Sequence, residues 1–302
     1  MTVMQKAVTP PMSQGYLQGY DRVAGFVVPA SAASFAQTPE ALYRLHGLAF
    51  PGSPFGPDVE HVDVLRFPAT PQLRLVVAAG GTSQESRALT GGLFVDRPPF
   101  TGLGFAPVRG PAIPLYWMVH SRVPAGSVLV RVAADGSQRV LARYVDVGHA
   151  WQSDIVQIRH SPSPEISRFV GPIAKWAGTY LNADVFDDAV VLVSEVAPPH
   201  QIGFEQTAAG RWRRVVARSE VTELFEFNFT ALWNGLEMRV VNQWTDAQGQ
   251  SVQRVSYLGH DADAAEGWRL EKVDAGVYEA SIPGSLQNVA TARLIPPAWV
   301  TA

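Results

Sequence analysis

Between Thr222 and His260 the chain alternates apolar and polar residues with the period of two that marks β-strands. Phe225, Phe227 and Phe229 alternate with Glu226, Asn228 and Thr230, which predicts a strand with one apolar and one polar face. Asn234-Gly235 follows, the dipeptide that best tolerates the positive φ angles of a two-residue hairpin turn. Leu236, Met238 and Val240 then resume the alternation, and a turn at Asp246–Gly249 returns the chain into Val252–Leu258. This pattern predicts a three-stranded antiparallel meander.

The same periodicity predicts further strands at Gly25–Pro29, Val62–Phe67, Leu73–Ala78, Leu115–Val119 and Val128–Ala133, with a hairpin turn at Asp135-Gly136. Thr38-Pro39-Glu40 reads as a helix start, with Thr38 as N-cap and Pro39 at the first helical position, and the helix is expected to stop at Gly47. Asp261–Gly267 reads as a second short helix start. Glu165–Ala177 predicts an amphipathic helix, interrupted at Gly171-Pro172. Gly80–Pro114 is rich in glycine and proline, and connections of that length point to a functional loop or a clasp. The expected architecture is mainly β with short helices, a β-rich α+β fold of antiparallel meanders in two sub-domains. Residues 1–20 are expected as an N-terminal arm, 21–155 as a β-rich sub-domain with one short helix and a Gly/Pro-rich loop, 156–190 as a helical connector, and 191–302 as an antiparallel β sub-domain. Gln138-Arg139-Val140 before Gly148-His149 parallels Gln253-Arg254-Val255 before Gly259-His260, which raises a diverged duplication as an expectation.

Composition narrows the classes. Hydrophobic residues make up 47% and charged residues 17% of the 302, which is a globular balance. A net charge of −3 lacks the basic excess of a nucleic-acid binder. Only Lys6, Lys175 and Lys272 are lysine, so positive charge is nearly all arginine, a bias of GC-rich codon usage. With no cysteine, disulfides, thiolate metal sites and cysteine nucleophiles are excluded. The first residues carry no basic segment followed by an unbroken apolar run, and no stretch of about 18 apolar residues occurs. A soluble cytoplasmic protein with no membrane contact is the expectation.

Chemistry is sparse in the sequence. Tyr43-Arg44-Leu45-His46 closes the first helix and faces a Gly/Pro loop. Arg44 is a candidate to pair with phosphate, and His46 to act as acid or base, with Gly102-Leu103-Gly104-Phe105 offering close backbone approach. No phosphate-binding GK[ST] loop, no G-x-G-x-x-G after a strand and no G-x-S-x-G elbow is present. His61 and Asp63 share a strand face and form a weak metal pair without a third ligand, the favoured reading being a solvated strand edge. His149 and His260 each follow a glycine at a strand end, and Asp261 is favoured as a helix cap rather than as an imidazole partner. In Arg211-Trp212-Arg213-Arg214, Trp212 is expected to be core on one strand face. Trp233 and Asn234 at the hairpin tip, with Phe105, are the candidate partner-binding residues, core or staple packing being the favoured reading of Trp233. No cofactor is implied.

Two functions are expected from this. The first is a non-catalytic protein that binds a protein partner, of the bacterial immunity- or secretion-associated kind. The alternative is an enzyme acting on a nucleotide or NAD-like substrate, of the ADP-ribosyltransferase or glycohydrolase type, in a cleft near Arg44 and His46.

Overall fold

The computed structural model describes residues 2–294 apart from 51, 57, 71, 93, 97–99, 109, 111, 159–165, 200–201 and 285–287, with Thr291 the one side chain described within 288–294. It is mainly β, built as two antiparallel sheets with, among the described residues, four short α-helices. The first sheet comprises β1 (Val3–Val8), β2 (Arg22–Pro29), β3 (His61–Pro68), β4 (Leu75–Val77), β5 (Tyr116–Arg122), β6 (Ser127–Ala133), β7 (Gln138–Tyr144) and β8 (Trp151–Gln152), in the order β4-β5-β2-β1-β3-β6-β7-β8. The second contains β9 (Ile173–Trp176), β10 (Thr179–Val185), β11 (Ala189–Ser194), β12 (Glu205–Gln206), β13 (Trp212–Ala217), β14 (Glu223–Trp233), β15 (Leu236–Thr245), β16 (Ser251–Tyr257), β17 (Glu271–Asp274), β18 (Val277–Pro283) and β19 (Asn288–Leu294). Its order is β12-β13-β11-β10-β9-β14-β15-β16-β18-β17, with β19 on β14. The helices are α1 (Pro10–Tyr16), α2 (Pro39–Leu45), α3 (Gln84–Thr90) and α4 (Ala262–Gly267). None of the described helices is long and apolar enough to cross a membrane.

The meander forms where the alternation predicts it, as β14, β15 and β16. Asn234 and Gly235 take φ of 50° and 80°, the left-handed pair that this turn requires. Asn234→Ala is therefore expected to cost about 1 kcal/mol, since a β-carbon without a polar side chain is strained there; urea denaturation measures it. The burial does not follow the alternation, however. Glu226, read as solvent-facing, is buried, while Phe225 and Phe227 are half-buried. The reason is that β14 holds β9 and β15 along one edge, at opposite ends of its length, and β19 along the other. Glu226 sits in the stretch between β9 and β15, where it accepts from Arg239 Nη2 at 3.0 Å and Gly171 N at 3.2 Å.

Three expectations are corrected. The N-terminal arm is not an arm: β1 lies inside the first sheet between β2 and β3. Its polar residues are buried, with Lys6 against Asp274 at 2.6 Å and Gln5 bonded to His46 and Arg66. Where the described part of 165–177 was read as helix, the chain forms β9. Gly171 at φ 96° ends any helical path, and Ala177-Gly178, both at positive φ, turn β9 back into β10. Finally, the two strand orders differ, so the similarity between the two hairpins does not extend to the topology.

The first sheet is buried on both faces. Val62 and Val64 join Phe26, Val28 and Leu42 on one side, while Leu65 and Phe67 join Met4, Val27 and Leu129 on the other. The first of these cores also contains Val277 of β18 and Ala275 of the turn before it, so the sheets share apolar packing at their seam. Buried cations cross the same seam. Arg122 donates to Ala183 O, Val170 O and Asn182 Oδ1, Arg239 donates to His120 O at 2.7 Å, and Arg211 donates to Val147 O at 2.6 Å.

Candidate functional site

α2 begins as its sequence dictates: Thr38 Oγ1 accepts from Ala41 N, and Pro39 fills the first helical position. Leu42 and Leu45 turn into the core, leaving Glu40, Ala41, Tyr43 and Arg44 on the opposite side. Across from them runs the 100–108 loop. Gly80 N donates to Gly102 O, and Leu115 N to Gly104 O, which ties the loop to the chain leaving β4 and to the residue before β5. Gly102 has φ 79°, and a β-carbon there would lie 2.3 Å from Gly80 O, so only glycine permits the approach. Phe100 anchors the near end by stacking on Phe26, with ring centroids 5.7 Å apart.

Between helix and loop lies an open cleft of about 660 Å³. Phe35, Tyr43 and Phe100 give it aromatic walls, Pro107 and Val108 an apolar flank, and Arg44 and Glu40 its charged rim. The two rim charges meet each other at 2.8 Å, both well exposed. The cleft brings Arg44 together with the Gly/Pro tract. It does not include His46. That imidazole is buried, and Gln5 Nε2 lies 3.1 Å from its Nε2. Arg66 Nε donates to Gln5 Oε1, which fixes the amide so that its nitrogen faces the ring; His46 Nε2 is thus the acceptor and its proton sits on Nδ1. Burial, helped by the charge of Lys6, lowers its pKa to about 3. His46 is a neutral structural group. No match is found for the chain among protein-family models, curated proteins or solved structures. The cleft's geometry therefore carries the functional argument.

The remaining sequence candidates separate. Phe105 and Leu103 stand exposed on the outer flank of the loop, where a β-carbon at Gly104 would come 3.1 Å from the exposed Val77 of β4. Trp233 is half-buried against the core containing Met238 and Val240, and Asn234 serves the turn; among the described residues the exposed tryptophans are Trp244 and Trp268. Asp63 is buried, gripped by Arg131 through both oxygens at 2.8 and 2.9 Å and by Ser13 Oγ at 2.6 Å. Among the described residues no group of three metal-ligating side chains gathers at it or at His61. His149 Nδ1 faces Asp146, and Asp146 also takes Arg213 at 2.9 Å. His260 stacks on Phe94 at 3.8 Å, and burial lowers its pKa to about 4. Asp261 caps α4 by accepting from Asp263 N and Ala264 N. Trp212 is half-buried on β13, packed against the core of Val190, Leu192 and Val216. His160 and His200 lie outside the described residues.

A second constellation has no counterpart in the sequence reading. His120 on β5 and Glu279 on β18 meet at 3.1 Å, both buried, on a cleft of about 460 Å³ between the two sheets. Burial depresses the imidazole pKa, outweighing the hydrogen bond and charge of Glu279 that raise it. Burial also works to raise the carboxyl of Glu279, but the hydrogen bond from His120, with the charge and hydrogen bond of Arg254 at 2.5 Å, brings it down to about 2. The pair is a neutral imidazole beside an ionised carboxylate. The two residues are 159 positions apart, and the only local hint is a histidine inside the apolar run of β5.

Proposed function

We propose that the protein is a non-catalytic binding protein, of the bacterial immunity- or secretion-associated kind, that takes an apolar segment of a partner protein into the cleft between α2 and the 100–108 loop. The supporting observation is the exposed apolar surface in this cleft, at Phe35, and on the outer flank of its loop. Phe35 is 48% exposed, Phe105 44%, Leu103 60% and Val77 53%. Apolar side chains gathered beside a groove are what soluble proteins present to partners. The rim adds a charge argument. Because Glu40 and Arg44 neutralise each other, the groove offers no net field, and an incoming phosphate would meet the carboxylate as well as the guanidinium. A neutral, apolar occupant is favoured. A bacterial cytoplasm as the setting belongs to the same reading, on the arginine bias of the sequence.

The alternative, an enzyme acting on a nucleotide or NAD-like substrate, draws on the aromatic walls, which suit a planar base. It lacks the acid–base role that His46 was expected to supply. Peptides selected from a displayed library against the protein, then titrated calorimetrically, decide between the two. The binding reading expects an aromatic or aliphatic anchor in the selected peptides, and a loss of about tenfold or more in affinity on Phe35→Ala and on Tyr43→Ala. Trp233→Ala should leave the affinity unchanged. Binding of ADP-ribose but of no peptide, or equal weakening by all three substitutions, would overturn it.

A further inference from the structure

The cleft between the sheets stands apart from the α2 cleft and from the reading placed on it. Most of its charges are matched. Lys272 meets Asp96 at 2.9 Å, Lys6 meets Asp274 at 2.6 Å, and Arg254 meets both Glu279 and Glu271. Arg22 is different. Its guanidinium lies over the Tyr20 ring, 4.9 Å from the centroid, and Nη1 donates to the carbonyl of Val241. Among the described residues no carboxylate comes within 4.0 Å of it. A guanidinium has five N–H donors and keeps its charge at any ordinary pH, so Arg22 brings to the cleft a cation with donors beyond the one that Val241 uses.

The rest of the lining sets the kind of ligand. Met12, Phe50, Pro54 and Val277 form an apolar wall, and neutral His120 adds a polar edge without a charge to oppose the guanidinium. A volume of about 460 Å³ suits a compact organic molecule rather than a chain segment. A carboxylate is the anion whose two coplanar oxygens match the guanidinium fork. We infer that this cleft is a small-molecule site for a compact carboxylic acid with an apolar body, its carboxylate on Arg22 and its body against Met12, Phe50 and Val277. The ligand would touch both sheets, and so bind the folded chain alone.

The test titrates phenylacetate, hexanoate, phenylacetamide and inorganic phosphate into the full-length protein carrying ¹³C-methyl methionine. The site expects at least one of the two acids to raise the melting temperature in a saturable way. It also expects that acid to shift the Met12 methyl resonance while Met238, buried in a separate core, stays put. Phenylacetamide should do neither, and Arg22→Lys should weaken the acid about tenfold by removing the two-pronged contact. The inference is overturned if neither acid moves Met12, if the amide acts like the acid, or if phosphate alone reproduces the Met12 shift. It is equally overturned if a folded Arg22→Lys variant binds the acid unchanged. Should that variant fail to fold, the wild-type comparison of acid, amide and phosphate at Met12 still decides.

Discussion

Lys6→Met is expected to lower the unfolding free energy by about 3–5 kcal/mol, because it leaves a buried carboxylate without its counter-charge. Lys6 Nζ and Asp274 Oδ2 are 2.6 Å apart, with side chains only 3% and 6% exposed. Water cannot take over the role of the lost ammonium, and among the described residues Asp274 keeps the bond from Ala275 N at 2.8 Å. The position magnifies the effect. Lys6 belongs to a central strand of the first sheet, and Asp274 ends β17 in the second, so the pair is one of the fasteners of the seam. There is no slack to absorb the change, since a β-carbon at Gly25 would come within 3.0 Å of Lys6 Nζ and 2.9 Å of Val277. Removing both charges should be milder: Lys6→Met with Asp274→Leu is expected to recover at least half of the loss, as an apolar pair can replace a buried ion pair. Guanidinium denaturation of the two single variants and the double variant measures this. A loss under about 1 kcal/mol for Lys6→Met would mean that the pair is hydrated and that the seam is held by other contacts.

The same pair shows why part of this fold was legible in the sequence and part was not. Elements whose cause is local were readable. The Asn234-Gly235 turn, the Thr38-Pro39 start of α2 and the Asp261 cap of α4 each depend on residues within four positions, and each forms as expected. β1 was hidden because Gln5 and Lys6 look like solvent-facing residues until His46, Arg66 and Asp274 arrive from elsewhere in the chain. Glu226 misled for the same reason, its partners being Arg239 and the backbone of Gly171. At the candidate site, the meeting of Arg44 with the Gly/Pro tract followed from the helix ending toward that loop. The position of His46 was also written locally. It lies four residues after Leu42, on the buried face of the turn, whereas Arg44 lies on the other. Helical spacing separates the two residues that proximity in sequence had joined.

Acid titration of His46→Gln is expected to reveal the second large effect, about 5 kcal/mol between pH 6.5 and pH 3. Folded His46 resists protonation until about pH 3, since burial and Lys6 both oppose its charge, whereas in the unfolded chain it takes up a proton near its ordinary value of 6.5. The unfolded state thus binds more protons across that window, so stability falls as the pH drops through it, by about 1.4 kcal/mol per pH unit. Asp184 runs the opposite way. Burial is the main cause that raises its pKa from 3.8 to about 6, opposed by Arg122 and by the hydrogen bond from Val147 N. Here the folded state holds the proton longer, so stability falls as the pH rises from about 4 to about 6, by about 3 kcal/mol in all. Between pH 6 and pH 4 the slopes of His46 and Asp184 nearly cancel, and below pH 4 the His46 slope continues, joined by that of Glu279, whose carboxyl is held down to about 2. His260, lowered to about 4, adds to the loss on the acid side above that pH. Relative to wild type, His46→Gln should therefore gain stability steadily as the pH falls from 6.5 to 3. Asp184→Asn should lose stability relative to wild type between pH 6 and 4, because the compensating slope is gone. Denaturation of the three proteins at half-unit pH steps gives the curves. A difference between His46→Gln and wild type that does not change with pH would show that the imidazole is charged in the fold, and with it would fall the argument that removes His46 from the cleft.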